Sequence, residues 1–316
     1  MATRTEAAGR AASEQVRRAL SGRRADIGGV VFQLLLLLTL VFALAVLIVL
    51  LLDVTRTAVP FLLDRGSQVF TSGYSSLSAN AGMRQGLIGS LYLGVFVIVI
   101  ALPLGVGAAI YLEEYARDTA LTRFISTNIR NLAGVPAIVY GILGLAVFVE
   151  LLKPITGPGS VEGKSLLAGG FTIAVMVLPI VIITTQEALR AVPRSIREAG
   201  FGVGATRWEV VRSHVLPYAA PGVLTGSVLS MARALGETAP LIMVGAVTGF
   251  LATKGGILDA LQQRFTSLPT LVFAYVKKPQ PEFQDLAAAT ILVLIVVIFA
   301  VNLAAILLRN RYERKW

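Results

Sequence analysis

The sequence predicts an all-α polytopic membrane protein with six transmembrane helices and both termini in the cytoplasm. Hydrophobic residues make up 55% of the 316 residues and charged residues only 15%, so the chain is more apolar than an ordinary soluble domain. Six apolar stretches each reach the roughly 20 residues that a helix needs to cross about 30 Å of hydrocarbon. The basic residues are concentrated in the segments on one side of those stretches.

The order of predicted elements follows from the apolar stretches. Residues 1–28 form a basic tail, and residues 309–316 form a shorter one. The outer loops 53–86 and 248–285 are too short for separate domains and rich in turn-forming residues, so we expect small outer caps that can include a surface helix. The first apolar stretch is too long for a cleaved signal and is predicted to stay as a helix. The predicted transmembrane helices span residues 29–52, 87–112, 131–152, 166–186, 215–247 and 286–308.

The distribution of Lys and Arg gives the predicted orientation. The two tails and the loops 113–130 and 187–214 hold 18 of the 28 basic residues, whereas the opposite loops, of nearly equal total length, hold nine. Because basic residues are retained on the cytoplasmic side, both termini are predicted to be cytoplasmic. Arg233 is the only Lys or Arg well inside a predicted span.

Composition also excludes several classes of function. The net charge of +10 lies mostly in short segments beside the membrane, where attraction to anionic lipid explains it without nucleic acid. The chain has no Cys, which excludes disulfides and thiolate chemistry, and its single His214 cannot build a zinc site alone. No cluster of catalytic residue types lies within the predicted spans, so a membrane enzyme is disfavoured.

The basic loop 187–217 is predicted to form two short helices. Pro193 suits a first helical position and starts a helix over 194–199, which a glycine-rich turn ends. Thr206 is predicted to cap a second helix, with Glu209 completing a capping box. An apolar stripe on that second helix consists of Trp208, Val211 and Val215. By composition alone the loop is either a helical hairpin on the membrane surface or a docking element for a soluble partner.

The spacing of particular residues decides between these alternatives. The loop resembles the EAA loop of ABC-importer permeases, whose pattern is E-A-A, three residues, G, nine residues, I, one residue, L-P. Gly200 and His214 depart from that pattern. The resemblance implies that the loop fits a cleft on a cytoplasmic ATPase subunit and moves with it as ATP is bound and hydrolysed. The residues that carry this predicted ATPase-coupling role are Glu198, Ala199, Gly204, Leu216 and Pro217.

No cofactor is predicted to bind this chain. The stretch 157–165, GPGSVEGKS, approaches a P-loop but has Pro158 where the first glycine belongs and lies in an outer loop. A partner ATPase subunit is therefore expected to bind and hydrolyse ATP with Mg, and this chain is expected to be a non-catalytic membrane subunit.

Arg233 and Glu237 are the candidate residues for substrate translocation. They are four positions apart, so we expect them to share one face of the fifth membrane helix, towards the bundle interior or a watery path. The alternative is a structural pair in which each charge neutralises the other. Four hydroxyl residues are further candidates to line a path, although hydrogen bonding between helices explains them equally simply: Thr184, Thr185, Ser230 and Thr238.

Several longer segments resemble the phosphate-specific ABC-transporter permeases of the PstA type. The segment around the charge pair is ARALGETAPL, at 232–241. The others are LPLGVGAAIYLEEYA at 102–116, LAGVPAIVYGILGL at 132–145 and SLPTLVFAYVKKPQPEFQDLAAA at 267–289. Together with the EAA loop, they extend across residues 84–308.

This resemblance implies a type I ABC importer permease fold over residues 84–308, in the plasma membrane of a prokaryote. It also implies a pore shared with a PstC-type permease, two PstB-type ATPase subunits and an extracytoplasmic PstS-type phosphate-binding protein. Arg233 would bind inorganic phosphate through its forked donors, and Glu237 would keep Arg233 charged, oriented and releasable. The alternatives are a permease for another oxyanion, such as sulfate, molybdate or a phosphonate, and an ATP-independent channel or carrier.

Overall fold

The computed structural model describes residues 27–158, 160–246 and 257–312. These residues form helices joined by short turns, and no strand occurs among them. The chain divides into two units, residues 1–53 and residues 54–316. Most of the predicted basic tail, and the first part of the predicted outer loop 248–285, lie outside the described residues.

The helices are numbered in chain order. Among the described residues, α1, α3, α7, α9 and α13 are long and apolar enough to cross a membrane, and the bent pair α4 and α5 supplies a sixth candidate. The helices are α1 (Ile27–Arg65), α2 (Gln68–Thr71), α3 (Arg84–Tyr115), α4 (Ala120–Ala133), α5 (Ala137–Leu151), α6 (Lys153–Thr156), α7 (Leu166–Arg190), α8 (Arg194–Gly202), α9 (Arg207–Gly236), α10 (Ala239–Met243), α11 (Ile257–Leu261), α12 (Leu268–Val276) and α13 (Pro281–Tyr312).

Helix α1 is longer than predicted. Its most apolar segment of 18 residues contains no buried residue, as expected for a helix surrounded by lipid. The predicted span 29–52 covers only part of this helix, which continues to Arg65 through the first part of the loop predicted over 53–86. The extension is held by packing, since Ala58, Phe61 and Leu62 belong to an apolar cluster of the second unit.

The predicted third span, 131–152, is not one straight helix. Helices α4 and α5 meet at an angle of 104°. Pro136 precedes the first residue of α5, and it disfavours helical geometry at the residue before it, which explains the break. The hydroxyl of Tyr140 donates to the carbonyl oxygen of Leu132 at 2.8 Å and ties the two helices together at the bend.

Helix α7 forms the centre of the second unit. It packs against α3, α5 and α9. In its most apolar segment of 18 residues, 67% of the residues are buried, a larger share than in the four other single helices of the described residues that could cross a membrane. Its apolar residues Ile173 and Val177 are fully buried in a cluster that also holds Met231 of α9. Helices α3, α5 and α9 therefore meet at α7.

The outer segment before the last span forms a buried helix rather than a surface helix. Leu268, Leu271 and Tyr275 lie on one face of α12, and none of them is exposed to solvent. The hydroxyl of Tyr275 donates to the carbonyl oxygen of Gly82 at 2.7 Å, and the backbone N–H of Leu268 donates to Ser90 Oγ at 2.8 Å. These bonds dock α12 on α3 and the turn before it.

A glycine on α3 allows this docking, which gives a first testable prediction. A Cβ atom at Gly89 would overlap the carbonyl oxygen of Thr266, whereas a Cβ at Gly107 on the same helix would meet no atom within 4 Å. Gly89→Ala is therefore expected to destabilise the solubilised protein by about 1–3 kcal/mol, as overpacking does. Gly107→Ala is the matched control and should be neutral or stabilising by up to about 1 kcal/mol.

Thermal unfolding in detergent measures this difference. Equal melting temperatures for Gly89→Ala and Gly107→Ala would contradict the close approach of α3 and the backbone before α12.

Candidate coupling and translocation sites

Residues 194–217, which we term the coupling hairpin, consist of α8, a turn and the start of α9. Helix α8 continues to Gly202, beyond the predicted end at residue 199. Gly204 has a φ of +82°, the left-handed conformation that turns the chain back. The predicted capping box is confirmed: Thr206 Oγ1 accepts from the N–H of Glu209, whose carboxylate accepts from the N–H of Thr206 at 2.7 Å.

The second helix of the hairpin is not separate from the membrane helix. Helix α9 runs without interruption from Arg207 to Gly236 and contains a wide, π-type turn over Val211–Val215, just before Pro217. Of the apolar stripe, Val211 and Val215 are buried, whereas Trp208 is 55% exposed, so the three residues do not form one buried face. Val210 is buried with them, in the apolar cluster under the hairpin.

Most of the predicted coupling residues lie on the surface. Glu198, Ala199, Gly204 and Pro217 are exposed, whereas Leu216 is half-buried against the apolar cluster under the hairpin. His214 is exposed as well. The hairpin thus presents a surface, with an apolar underside that attaches it to the helix ends below.

The other departure from the family pattern, Gly200, is buried beneath the hairpin. A Cβ atom at this position would lie 2.7 Å from Val210 Cγ2. The absence of a side chain therefore lets α8 approach the start of α9 closely.

Four charged residues at the base of the hairpin were not predicted from sequence. Glu113 and Glu114, at the end of α3, pair with Arg190 and Arg197. Arg190 Nε donates to both carboxylate oxygens of Glu113 at 3.0 Å, and Arg197 Nη2 lies 2.6 Å from Glu114 Oε1. Two adjacent carboxylates ending an apolar helix, opposite an arginine-rich loop, are the sequence signal that could have identified them.

A cleft opens beside these ion pairs. Its volume is about 660 Å³, and it lies between the ends of α3 and α7 and the coupling hairpin. Its lining includes Glu114, Arg194, Arg197, Glu198, Phe201 and Arg207. The concavity is thus rich in charge of both signs and contains one of the predicted coupling residues.

The candidate translocation pair, Arg233 and Glu237, lies at a break between two helices, α9 and α10. Helix α9 ends at Gly236, and Glu237 is extended, with φ −77° and ψ 131°; the predicted continuous span 215–247 is therefore wrong. If the helix continued, the ring of Pro240 would clash with the carbonyl of Gly236, which explains the break. Arg233 and Glu237 do not share a helix face, yet the extended backbone still brings Arg233 Nε to 3.2 Å from Glu237 Oε1.

The guanidinium of Arg233 is only partly used by this pair. Its side chain is 37% exposed, and that of Glu237 is 21% exposed. Within the described residues, the hydrogen bond of Arg233 is made by Nε, and the two terminal nitrogens make none. Non-helical backbone at membrane depth is tolerated only inside protein or along a water-filled cavity, so the break is compatible with either location.

The short helix after the break is held against α5. Pro240 is buried, and a Cβ atom at Gly141 would lie 2.7 Å from Pro240 Cα. This contact places α10 directly beside α5 and fixes the chain that follows the charge pair.

Two of the four candidate hydroxyl residues, Thr184 and Ser230, form hydrogen bonds within their own helices. Thr184 Oγ1 donates to the carbonyl oxygen of Ile180 at 2.8 Å, and Ser230 Oγ donates to that of Gly226 at 2.9 Å. These bonds lie within single helices rather than between helices. Thr185 is buried, and Thr238 is half-buried just after the break.

The stretch that approaches a P-loop is engaged in local structure. Lys164 Nζ donates to Glu162 Oε2 at 2.8 Å and thereby lowers the pKa of that carboxyl. Ser165 is fully buried, and its hydroxyl accepts from the N–H of Ala168 to cap α7. Among the described residues, no group of three or more His, Cys, Asp or Glu side chains is placed to hold a metal ion.

Known proteins are similar to this chain in sequence. Residues 101–316 match the family model of the binding-protein-dependent transport system inner membrane component. The probable ABC transporter permease protein YqgI of Bacillus subtilis (strain 168) is 35% identical over 181 residues, which are 57% of this chain and 59%, less than two thirds, of that protein. The phosphate transport system permease protein PstA of Yersinia pestis is 33% identical over 231 residues, which are 72% of each chain.

A solved structure is similar in fold. The crystal structure of a bacterial alginate ABC transporter, in complex with an alginate pentasaccharide-bound periplasmic protein, superposes with a TM-score of 0.66 at 14% identity. The match covers 90% of this chain and 96% of that one. At this identity the likeness concerns the fold alone, and it confirms the predicted type I ABC importer permease fold. The chain therefore belongs to the family of binding-protein-dependent transport system inner membrane components.

Proposed function

We propose that this chain is a non-catalytic permease subunit of an ATP-driven importer whose substrate is inorganic phosphate. The observation that carries the proposal is the guanidinium of Arg233 at the break between α9 and α10, in which only Nε is hydrogen-bonded within the described residues, to Glu237. The likeness to PstA of Yersinia pestis over 72% of the chain supports phosphate as the anion.

The chemistry of the charge pair suits an anion that must bind and then leave. A guanidinium offers a rigid fork of N–H donors that matches phosphate oxygens, and two of its nitrogens are free for this in Arg233. Glu237 holds the third nitrogen, keeps the fork oriented and competes with the bound anion. That competition prevents phosphate from remaining trapped on a single cation.

The energy and the partners come from outside this chain. The exposed coupling residues Glu198, Ala199 and Gly204 are suited to contact with a PstB-type ATPase subunit, of which two copies are proposed. A PstC-type permease would complete the pore, and a PstS-type binding protein would deliver phosphate from outside. Because the coupling hairpin must face ATP, and six crossings return the chain to its starting side, both termini are proposed to be cytoplasmic in a prokaryotic plasma membrane.

Reconstitution with these partners tests the proposal. In liposomes that contain both permeases and the ATPase, phosphate-loaded binding protein is expected to stimulate ATP hydrolysis and phosphate uptake. The same binding protein without phosphate, and a sulfate-loaded sulfate-binding protein, are the controls and should not stimulate. Stimulation by the sulfate-loaded protein but not by the phosphate-loaded one would replace phosphate with another oxyanion, and ATP-independent uptake would exclude the importer.

A further inference from the structure

One guanidinium joins α8 to the ends of α3 and α7 beneath the coupling hairpin. Arg197 lies on α8 and pairs with Glu114, in the last turn of α3. Its Nη2 also donates to the carbonyl oxygen of Leu189, in the last turn of α7, at 2.9 Å. Its Nη1 donates to the carbonyl oxygen of Val192, just beyond α7, at 2.9 Å. Arg197 therefore connects the hairpin to α3 and α7 at once.

The neighbouring ion pair is similar in chemistry but not in burial. The side chains of Arg197 and Glu114 are 20% and 9% exposed, whereas those of Arg190 and Glu113 are 41% and 21% exposed. Removing one partner of a buried pair leaves an uncompensated charge, while an exposed pair contributes little. The chain thus contains a largely buried linkage, that of Arg197 with Glu114, and, one residue earlier on α3, a more exposed counterpart.

The other contacts of α8 do not fix its direction of movement. Ile196 rests on the apolar cluster under the hairpin, and Gly200 lies against Val210 of α9. Apolar contacts are non-directional, and packed helices slide over one another in shear motions. The forked bonds of Arg197 specify both distance and orientation, so they resist sliding.

We propose that Arg197 is a positioning residue that transmits displacement of the coupling hairpin to α3 and α7, through Glu114 and the two helix-end carbonyls. The proposal rests on the proposed role of the hairpin in contacting an ATPase. It extends that role, since it identifies where movement leaves the hairpin and enters the membrane helices. A lysine cannot substitute, because its compact ammonium lacks the planar fork that reaches three acceptors.

Neutralising the two adjacent glutamates tests the transmission. In the reconstituted transporter, Glu114→Gln is expected to lower the ratio of phosphate taken up to ATP hydrolysed by about tenfold, while the ATPase stays bound, and Arg197→Lys should act in the same direction. Glu113→Gln is the matched control, with an expected change of about twofold at most. Equal effects of Glu113→Gln and Glu114→Gln on this ratio would overturn the proposal.

A distance measurement gives a readout that does not depend on the substrate. The chain has no Cys, so spin labels can be attached to Ser195→Cys on α8 and Tyr111→Cys on α3, both exposed positions. With the native linkage, the distribution of distances between the labels should be the same with and without ATP. With Glu114→Gln, we expect this distribution to broaden or shift when ATP is added. A native distance that changes on ATP binding, or a Glu114→Gln distribution like the native one, would contradict the linkage. Failure of native transport would instead count against the proposed function.

Discussion

Arg233→Gln is expected to reduce phosphate uptake to background while the transporter still assembles. The substitution removes the charge and the fork of donors at the break after α9. Loss of two charge-assisted hydrogen bonds, about 3 kcal/mol together, corresponds to a decrease of about 100-fold. Uptake of radiolabelled phosphate measures the effect, and co-purification of the ATPase with the permeases reports on assembly.

Two further variants separate transport from a structural role of the pair. Arg233→Lys keeps the positive charge but loses the fork, so its uptake should lie between those of the native protein and Arg233→Gln. The double variant Arg233→Gln with Glu237→Gln keeps two hydrogen-bonding groups and removes both charges, so no carboxylate is left unpaired. If the double variant restored uptake, or if Arg233→Gln transported normally, the pair would be structural, and a role of Arg233 in binding the substrate would be excluded.

The positions of the membrane helices were largely predictable from the sequence, because the apolar stretches report directly on length and lipid contact. Their ends were not. The extension of α1 to Arg65 depends on packing of Ala58 in an apolar cluster, and many members of that cluster, such as Leu268 and Phe283, are distant in sequence. The bend at Pro136 had a local signal, but apolar content continues through it, and a hydropathy pattern does not record a change of direction.

The candidate sites were predictable to a different extent. The capping box of the hairpin is a local pattern, and it was confirmed in detail. The proximity of Arg233 to Glu237 was also anticipated. The predicted helical geometry was wrong, because the ring of Pro240 would clash with the carbonyl of Gly236 in a continuous helix. The linkage of Arg197 to Glu114 joins residues more than 80 positions apart. No local periodicity contains such a contact, so it required the fold.

Gly204→Asp is expected to uncouple the transporter or to prevent ATPase binding. An L-residue at this left-handed position costs roughly 1–2 kcal/mol, and Asp is among the residues that best tolerate it. A Cβ at Gly204 would meet no atom within 4 Å, so the hairpin should still fold. The added carboxylate instead lies on the exposed turn, beside the surface that carries Glu198. We expect ATPase association or coupled uptake to fall by about tenfold or more.

Two variants show which property of the turn is required. Gly204→Asn has the same size and tolerates the same backbone, but it carries no charge, so a milder effect than that of Gly204→Asp assigns the loss to charge at the interface. Gly202→Asp places the same charge at an exposed position with ordinary backbone geometry and no atom within 4 Å of its Cβ. An equal loss in both glycine-to-aspartate variants would indicate a general repulsion by α8. A Gly204→Asp complex with native assembly and coupling would refute the placement of the ATPase contact on this turn, because an interface centred there cannot accept a new charge without loss.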